Sequence, residues 1–243
     1  MQDQGNSSTS PRQQKSTIST NLTTVLGGPE ALEFKLLKSS VFDVLGWVDH
    51  GFGTRNDLWT QDDMARLKQI HSATVLATVR AGCAGEGDGL VTSTAGLAVS
   101  IRTADCFPVL LVDARLRTVA AVHAGWRGTA AQILPATVDL MRTNFDTRPE
   151  DIYAAIGPGI GECCYQVGED VARHLGFTAA GRIDLGKVNY RQLVNVGVPE
   201  GQIDRLNLCT FCNATQFHSY RRDKDAAGRM ISFIRIPAAD KNR

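Results

Sequence analysis

Two reactive side chains stand at the ends of an apolar ribbon that has few ways to fold. Residues 98–106 lead into the run Phe107-Pro108-Val109-Leu110-Leu111-Val112, residues 113–117 interrupt it, and Thr118-Val119-Ala120-Ala121-Val122-His123 returns. Two β-rich runs around a short polar segment predict a hairpin. Pairing Asp113 with Leu116 sets a register in which Cys106 lies directly opposite His123, their Cβ atoms about 4.5 to 5.5 Å apart. A slip of one residue would turn one of the two to the other face. A ribbon that closes on a thiol and an imidazole points to a chemical site, either two ligands of one metal or a thiol beside its base.

The residues beyond His123 support that reading. In Ala124-Gly125-Trp126-Arg127-Gly128-Thr129 two glycines flank an arginine, and residues 130–141 follow with helical spacing. Glycines let backbone approach a ligand closely, and Arg127 offers a planar, permanently charged donor fork suited to phosphate or carboxylate. Pro135 interrupts the helical pattern, because a proline beyond the first turn kinks or breaks a helix.

With 243 residues, 43% of them apolar, the chain can bury a substantial core in one domain. Its 26 basic and 25 acidic residues leave a formal charge of +1, so no global field draws it to nucleic acid or to a membrane, and a small-molecule ligand fits better. Six cysteines, two of them adjacent, do not make the disulfide framework of a small secreted domain. No secretion signal opens the chain and no apolar run reaches membrane-spanning length. A cytoplasmic protein is the expectation, with residues 1–24 a flexible tail and 25–243 the catalytic domain.

Further along, residues 47–55 read as a strand entering a glycine loop that presents Arg55. Thr60-x-x-Asp63 resembles a capping box and predicts a helix over 61–68, followed by a strand over 69–79 with His71 at its start. Residues 85–89 form a glycine-rich turn. Residues 151–156 and 229–236 are strands, and 168–175 and 186–196 short helices. Paired strands with interspersed helices favour an α+β fold with mixed sheets over a doubly wound one.

Alone, Cys106, His123 and His71 are each as well explained as packed core residues. Together they make a Cys-His-His set that, with one open position, is the arrangement of catalytic zinc. Gly157-Pro158-Gly159-Ile160-Gly161 has the wrong spacing for a dinucleotide loop. Cys163-Cys164 reads as structural or incidental, and Cys209-x-x-Cys212 lacks a second pair to complete a zinc knuckle. The cluster His218-Ser219-Tyr220-Arg221-Arg222-Asp223 is a solvated face or an anion holder. His50 and His174 have no partner that the sequence names.

These residues together resemble the YfiH or laccase-domain family, whose members also carry the names multicopper polyphenol oxidase and purine nucleoside phosphorylase. The matches are Gln69-Ile70-His71, Gly87-Asp88-Gly89-Leu90-Val91-Thr92, Thr103-Ala104-Asp105-Cys106, His123-Ala124-Gly125-Trp126-Arg127-Gly128, residues 156–161 with Cys163-Cys164-Tyr165, Cys209-Thr210, and residues 219–222. They run in family order over most of the chain. Gly89, Glu162 and residues 224–227 depart from the pattern and leave the ligand positions untouched.

The resemblance implies a layered α+β sandwich of mixed sheets flanked by helices, with zinc, or copper, held by His71, Cys106 and His123. It implies a purine nucleoside phosphorylase acting on adenosine, inosine and methylthioadenosine, with adenosine deaminase activity. Asp105, Cys106 and Arg127 are then the candidate catalytic residues, and Arg55 and Arg127 the candidate substrate contacts. Purine nucleosides and phosphate are the expected partners, without nucleic acid or membrane, and a monomer is the expected assembly. Polyphenol oxidation suits the chain poorly, because several coppers need many histidines and there are five in all. The alternatives are a Cys-His amidase acting on a cell-wall precursor and a non-catalytic purine-binding protein.

Overall fold

The apolar ribbon forms the centre of a six-stranded sheet that is covered on both faces. The structure, a computed structural model, describes residues 36–57 and 60–238; the expected tail over 1–24 lies outside them. In chain order the elements are β1 (Asp49–Gly51), β2 (Ala65–Lys68), β3 (Val75–Ala77), β4 (Gly82–Glu86), β5 (Gly89–Thr92), β6 (Ala98–Thr103), β7 (Phe107–Asp113), β8 (Thr118–Ala124), α1 (Trp126–Ala130), α2 (Ile133–Phe145), β9 (Ile152–Ile156), β10 (Gln166–Val167), α3 (Glu169–His174), β11 (Gly181–Arg182), α4 (Leu185–Asn195), β12 (Ile203–Arg205), α5 (Tyr220–Asp223) and β13 (Met230–Arg235).

The central sheet has the order β12-β9-β7-β8-β5-β3, a second sheet the order β1-β13-β6-β2-β4, and β10 pairs with β11 alone. Antiparallel pairs dominate, but β12/β9, β3/β5 and β2 with both its neighbours run parallel. Both large sheets are therefore mixed, as the sequence predicts.

The alternation of side chains along the ribbon explains the layering. Val109, Leu111, Ala120 and Val122 pack with Leu134, Val138 and Met141 of α2 and Leu185 and Leu193 of α4. Leu110, Val112, Val119 and Ala121 point the other way and pack with Val99, Ile101, Met230 and Ile234 of the second sheet. A strand covered on both faces must be apolar at every position, which is why β7 and β8 read as continuous hydrophobic runs. Each fully buried aliphatic side chain contributes about 1.5–3 kcal/mol.

The hairpin register differs from the one expected. Phe107 pairs with Ala124, Pro108 with His123 and Asp113 with Thr118, two residues away from a ladder that pairs Asp113 with Leu116. The cause lies in the turn. The Asp113 carboxylate accepts the backbone N–H groups of Arg115 and Leu116 at 2.8 Å each, and Arg117 takes a left-handed conformation at φ 53°, so four residues make the connection. Because the side-chain period is two, a shift of two leaves every residue on its expected face.

The helix expected over 61–68 is absent. Residues 61–64 turn, and Ala65 and Leu67 of β2 point inward between β4 and β6, so sheet pairing overrides the local capping signal. The strand expected over 69–79 shrinks to β3, which leaves His71 in a loop. The helix after residue 130 is divided. Gln132 at φ 64° separates α1 from α2, and Pro135 falls in the first turn of α2, where a missing N–H costs no hydrogen bond.

His50 of β1 is buried, and its Nε2 accepts the Ser39 N–H at 2.9 Å. Burial, reinforced by the nearby Lys38 charge, lowers its pKa to about 3. The unfolded chain binds this proton below about pH 6.5 and the folded chain does not, so stability falls as pH drops through the window from 6.5 towards 3. Between pH 7 and pH 5 this one group removes about 2 kcal/mol. Urea unfolding at the two pH values checks it, since His50→Gln keeps an acceptor for Ser39 and should lose measurably less stability over that interval than the natural protein.

Candidate metal centre and substrate cleft

His71, Cys106 and His123 come together from three separate segments. His123 lies near the end of β8, Cys106 immediately before β7, and His71 in the loop between β2 and β3. Their ligand atoms all lie within 4.8 Å of one another, and the two imidazole rings meet edge to face at 4.9 Å. Cys106 is not opposite His123 but two residues along the strand from His123's partner Pro108, on the same face. Continued by one pair, the ladder sets Cys106 opposite Gly125, where an added Cβ would lie 2.8 Å from the Cys106 Sγ and 3.7 Å from the His71 ring.

Asp88, in the bend before β5, organises two of the three candidate ligands, His71 and His123, and was not singled out from the sequence. It is fully buried, and its carboxylate accepts the N–H of His71 at 3.0 Å, the N–H and hydroxyl of Ser72 at 2.6 and 2.8 Å, and the His123 Nδ1 at 2.8 Å. One carboxylate thus holds the His71 loop by its backbone and the His123 ring by its side chain. Holding Nδ1 turns His123 Nε2 toward Cys106, where a metal would meet it, which is the carboxylate–histidine arrangement of metal sites. The available signal was an acidic residue between two glycines directly before an apolar strand.

The charges reinforce one another. Burial alone would raise the Asp88 carboxyl, but the His123 ring and the Ser72 donors bring it down to about 2. Burial likewise pushes the Cys106 thiol up, and the imidazoles of His123 and His71 more than offset that, lowering it to about 6. Against its own burial, His123 is raised to about 9 by Asp88 and Cys106. A thiol ready to ionise, two imidazoles and an acidic anchor form a borderline-soft three-donor set of the kind zinc takes in catalytic centres, with a position left for substrate or water.

The three ligands lie in a cleft of about 780 Å³, of the size that takes a small-molecule ligand. Lys68, Arg102, Arg127, Arg221, Lys224 and Arg229 line it, with Asp105 the lone carboxylate among the described residues. Arg127 lies over the Trp126 ring and Arg221 over Tyr165, which also lines the cleft. Asp105, at φ 83°, accepts the Thr210 hydroxyl on Oδ1 and the Arg221 N–H on Oδ2, both at 2.6 Å.

Other sequence candidates fall elsewhere. Arg55 is not among the residues lining the cleft; its guanidinium donates to the Ala214 carbonyl and its N–H to Gln216. Arg222 is a structural clamp whose guanidinium donates to the carbonyls of Thr210, Phe211 and Phe217 and to Asp223. The glycines of 157–161 serve packing, since a Cβ at Gly157 would meet the Phe52 ring at 2.2 Å and one at Gly159 the Phe107 ring at 2.6 Å. Cys163 and Cys164 are brought from a separate loop to Cys209-x-x-Cys212, and all four sulfurs lie within 4.8 Å of one another.

Fold and site together define a layered α+β protein with one Cys-His-His constellation in a cationic cleft. A family model described as multi-copper polyphenol oxidoreductase laccase matches residues 54–237, and the chain belongs to that family. It is 42% identical over 188 residues to a purine nucleoside phosphorylase of Deinococcus radiodurans, covering 72% of this chain and 71% of the relative. It is also 35% identical over 197 residues to "adenosine deaminase RL5" from an unknown prokaryotic organism, covering 71% and 75%. The crystal structure of YlmD from Geobacillus stearothermophilus superposes with a TM-score of 0.78 at 26% identity, covering 87% of this chain and 98% of that one. Bacillus licheniformis YfiH superposes with a TM-score of 0.76 at 28% identity, covering 83% and 96%. The layered α+β fold expected from the sequence is thus the fold of these neighbours.

Two substitutions test the site. Asp88→Asn removes the charge and presents an amide N–H to donors, so the affinity of the three-donor set for added zinc should fall about 10- to 100-fold in a chelator competition titration. Gly125→Ala suits its backbone at φ −81° yet crowds the Cys106 sulfur, so it should weaken zinc in the same titration while the far-ultraviolet circular dichroism stays unchanged.

Proposed function

We propose that this protein is a zinc-dependent purine nucleoside phosphorylase, acting on adenosine, inosine and methylthioadenosine, with accompanying adenosine deaminase activity. The observation that carries the reading is the three-donor set within a cleft lined by six basic side chains and one carboxylate. A strongly cationic wall suits phosphate as co-substrate, and the names of the relatives supply the nucleoside.

When bound, zinc supplies Lewis-acid polarisation of an oxygen and a lowered water pKa. His71, Cys106 and His123 would hold it, with Asp88 orienting the His123 ring and holding the His71 loop by its backbone N–H. Arg127 and Arg221 bind and orient the phosphate, whose attack on the ribose carbon releases the base. In the deaminase reaction water attacks the amino-bearing carbon of the purine and ammonia leaves. Asp105 acts as a positioning residue, because both carboxylate oxygens are already committed to Thr210 and Arg221. The same reading places the protein in the cytoplasm, a reducing compartment where thiols stay available to metals. Among the described residues no helix is long and apolar enough to cross a membrane.

A second reading draws on the row Cys106, His123, Asp88, which also matches a nucleophile, its base and the base's orienting group. It leaves His71 without a task at the same sulfur, so zinc is favoured. Copper at the same ligands would not make a multicopper oxidase, since His50 is committed to Ser39 and the His174 ring to the Asp170 carbonyl, leaving His218 alone of the five histidines for further coppers.

The test is phosphate-dependent release of hypoxanthine from inosine and adenine from adenosine. Cys106→Ala should lose more than about 100-fold in turnover, beyond the effect of removing a metal ligand's supporting partner, while remaining folded. Arg127→Ala should raise the KM for phosphate about tenfold, the consequence of one lost charge-assisted hydrogen bond. Chelation should abolish turnover and zinc restore it. Chelator-resistant turnover with a covalent adduct on Cys106 would select the nucleophile instead.

A further inference from the structure

We infer that Cys163, Cys164, Cys209 and Cys212 form a second zinc site, structural in character and separate from the Cys-His-His centre. The four sulfurs come from two loops far apart in sequence. Cys163 and Cys164 lie in the turn after Gly161, where the Cys164 N–H donates to the Gly161 carbonyl at 2.9 Å. Cys209 and Cys212 bracket the turn that follows the isolated pairing of Gly159 with Cys209.

The distances suit one tetrahedral ion. Four sulfurs about 2.3 Å from a zinc stand about 3.8 Å from each other. Cys212 Sγ lies 3.6 Å from Cys163 Sγ and 3.4 Å from Cys164 Sγ, with all four within 4.8 Å. A disulfide needs about 2.05 Å, and all four are free thiols. They are not core filler, since Cys163 and Cys212 are exposed and Cys164 and Cys209 half-buried. Such closely spaced sulfurs surround a single ion rather than a multi-iron cluster, and an all-thiolate tetrahedron is a closed structural zinc site.

The backbone is prepared for concentrated sulfur charge. The Gly161 N–H donates to Cys209 Sγ at 3.2 Å. A Cβ at Gly161 would come within 3.2 Å of the Cys209 Cβ and 3.3 Å of the Cys163 Sγ, so glycine here lets the loop close over the sulfurs.

The location gives the site a task. It joins the loops leaving β9 and β12, adjacent parallel strands. The first loop supplies Ile160 and Tyr165 to the cleft, and the second supplies Thr210, whose hydroxyl holds Asp105. Zinc on four thiolates, with their protons released, would fix one wall of the cleft against the residue preceding Cys106.

The test counts metal on the full chain purified from zinc-supplemented cells. Elemental analysis should find one zinc per chain fewer in Cys163→Ser/Cys212→Ser than in the natural protein, whatever the occupancy of the other centre. Cys106→Ala leaves the four thiols intact, and its X-ray absorption fine structure should show about four sulfurs at about 2.3 Å. Its Tm should drop on chelation and recover with zinc. Equal zinc in the natural protein and the double variant, a nitrogen-and-oxygen shell or no metal in Cys106→Ala, or a disulfide among these cysteines by mass spectrometry would each overturn the assignment, and none depends on nucleoside turnover.

Discussion

The buried carboxylate of Asp88 is the interaction on which the site depends. A charge taken fully out of water costs several kcal/mol unless its oxygens are satisfied, and here the donors that satisfy it are the parts that must be positioned. The N–H groups around His71 hold an irregular loop in place, and the His123 ring is oriented by the same group. The anchor also explains the electrostatics, since an ionised Asp88 raises His123, and His123 with His71 brings the Cys106 thiol down.

Around that anchor, the layered core supplies rigidity. The ribbon that carries Cys106 and His123 is packed between α2 and α4 on one side and the second sheet on the other. Its ends cannot shift without disturbing both layers, so two ligands stand on a dense scaffold while the third arrives on a loop. The cleft outside them is built from loops and short elements that carry arginines and lysines, a division between rigid donors and adaptable binding groups common in enzymes.

Much of this was legible in the chain itself. The apolar run and its return gave the hairpin, and the faces of Cys106 and His123 survived an error in register because that error was two residues. Strands β9 and β13 and helices α3 and α4 lie close to their expected places. The helix expected over 61–68 failed because a capping pattern is a local signal, whereas β2 is stabilised by β4 and β6, which come later in the sequence. Arg55, expected as a substrate contact from its glycine-loop setting, is instead tied to the backbone of residues 214–216, which the local sequence does not announce.

The sequence by itself determined which chemistry the chain carries and which segments are buried, because residue type and period-two alternation are local properties. Only the tertiary structure decided that His71 reaches the hairpin, that Asp88 ties it there, and that Cys163-Cys164 meets Cys209-x-x-Cys212. Those convergences join residues many positions apart, and their geometry is set by the stacking of two sheets and a helical layer, which no stretch of sequence encodes alone.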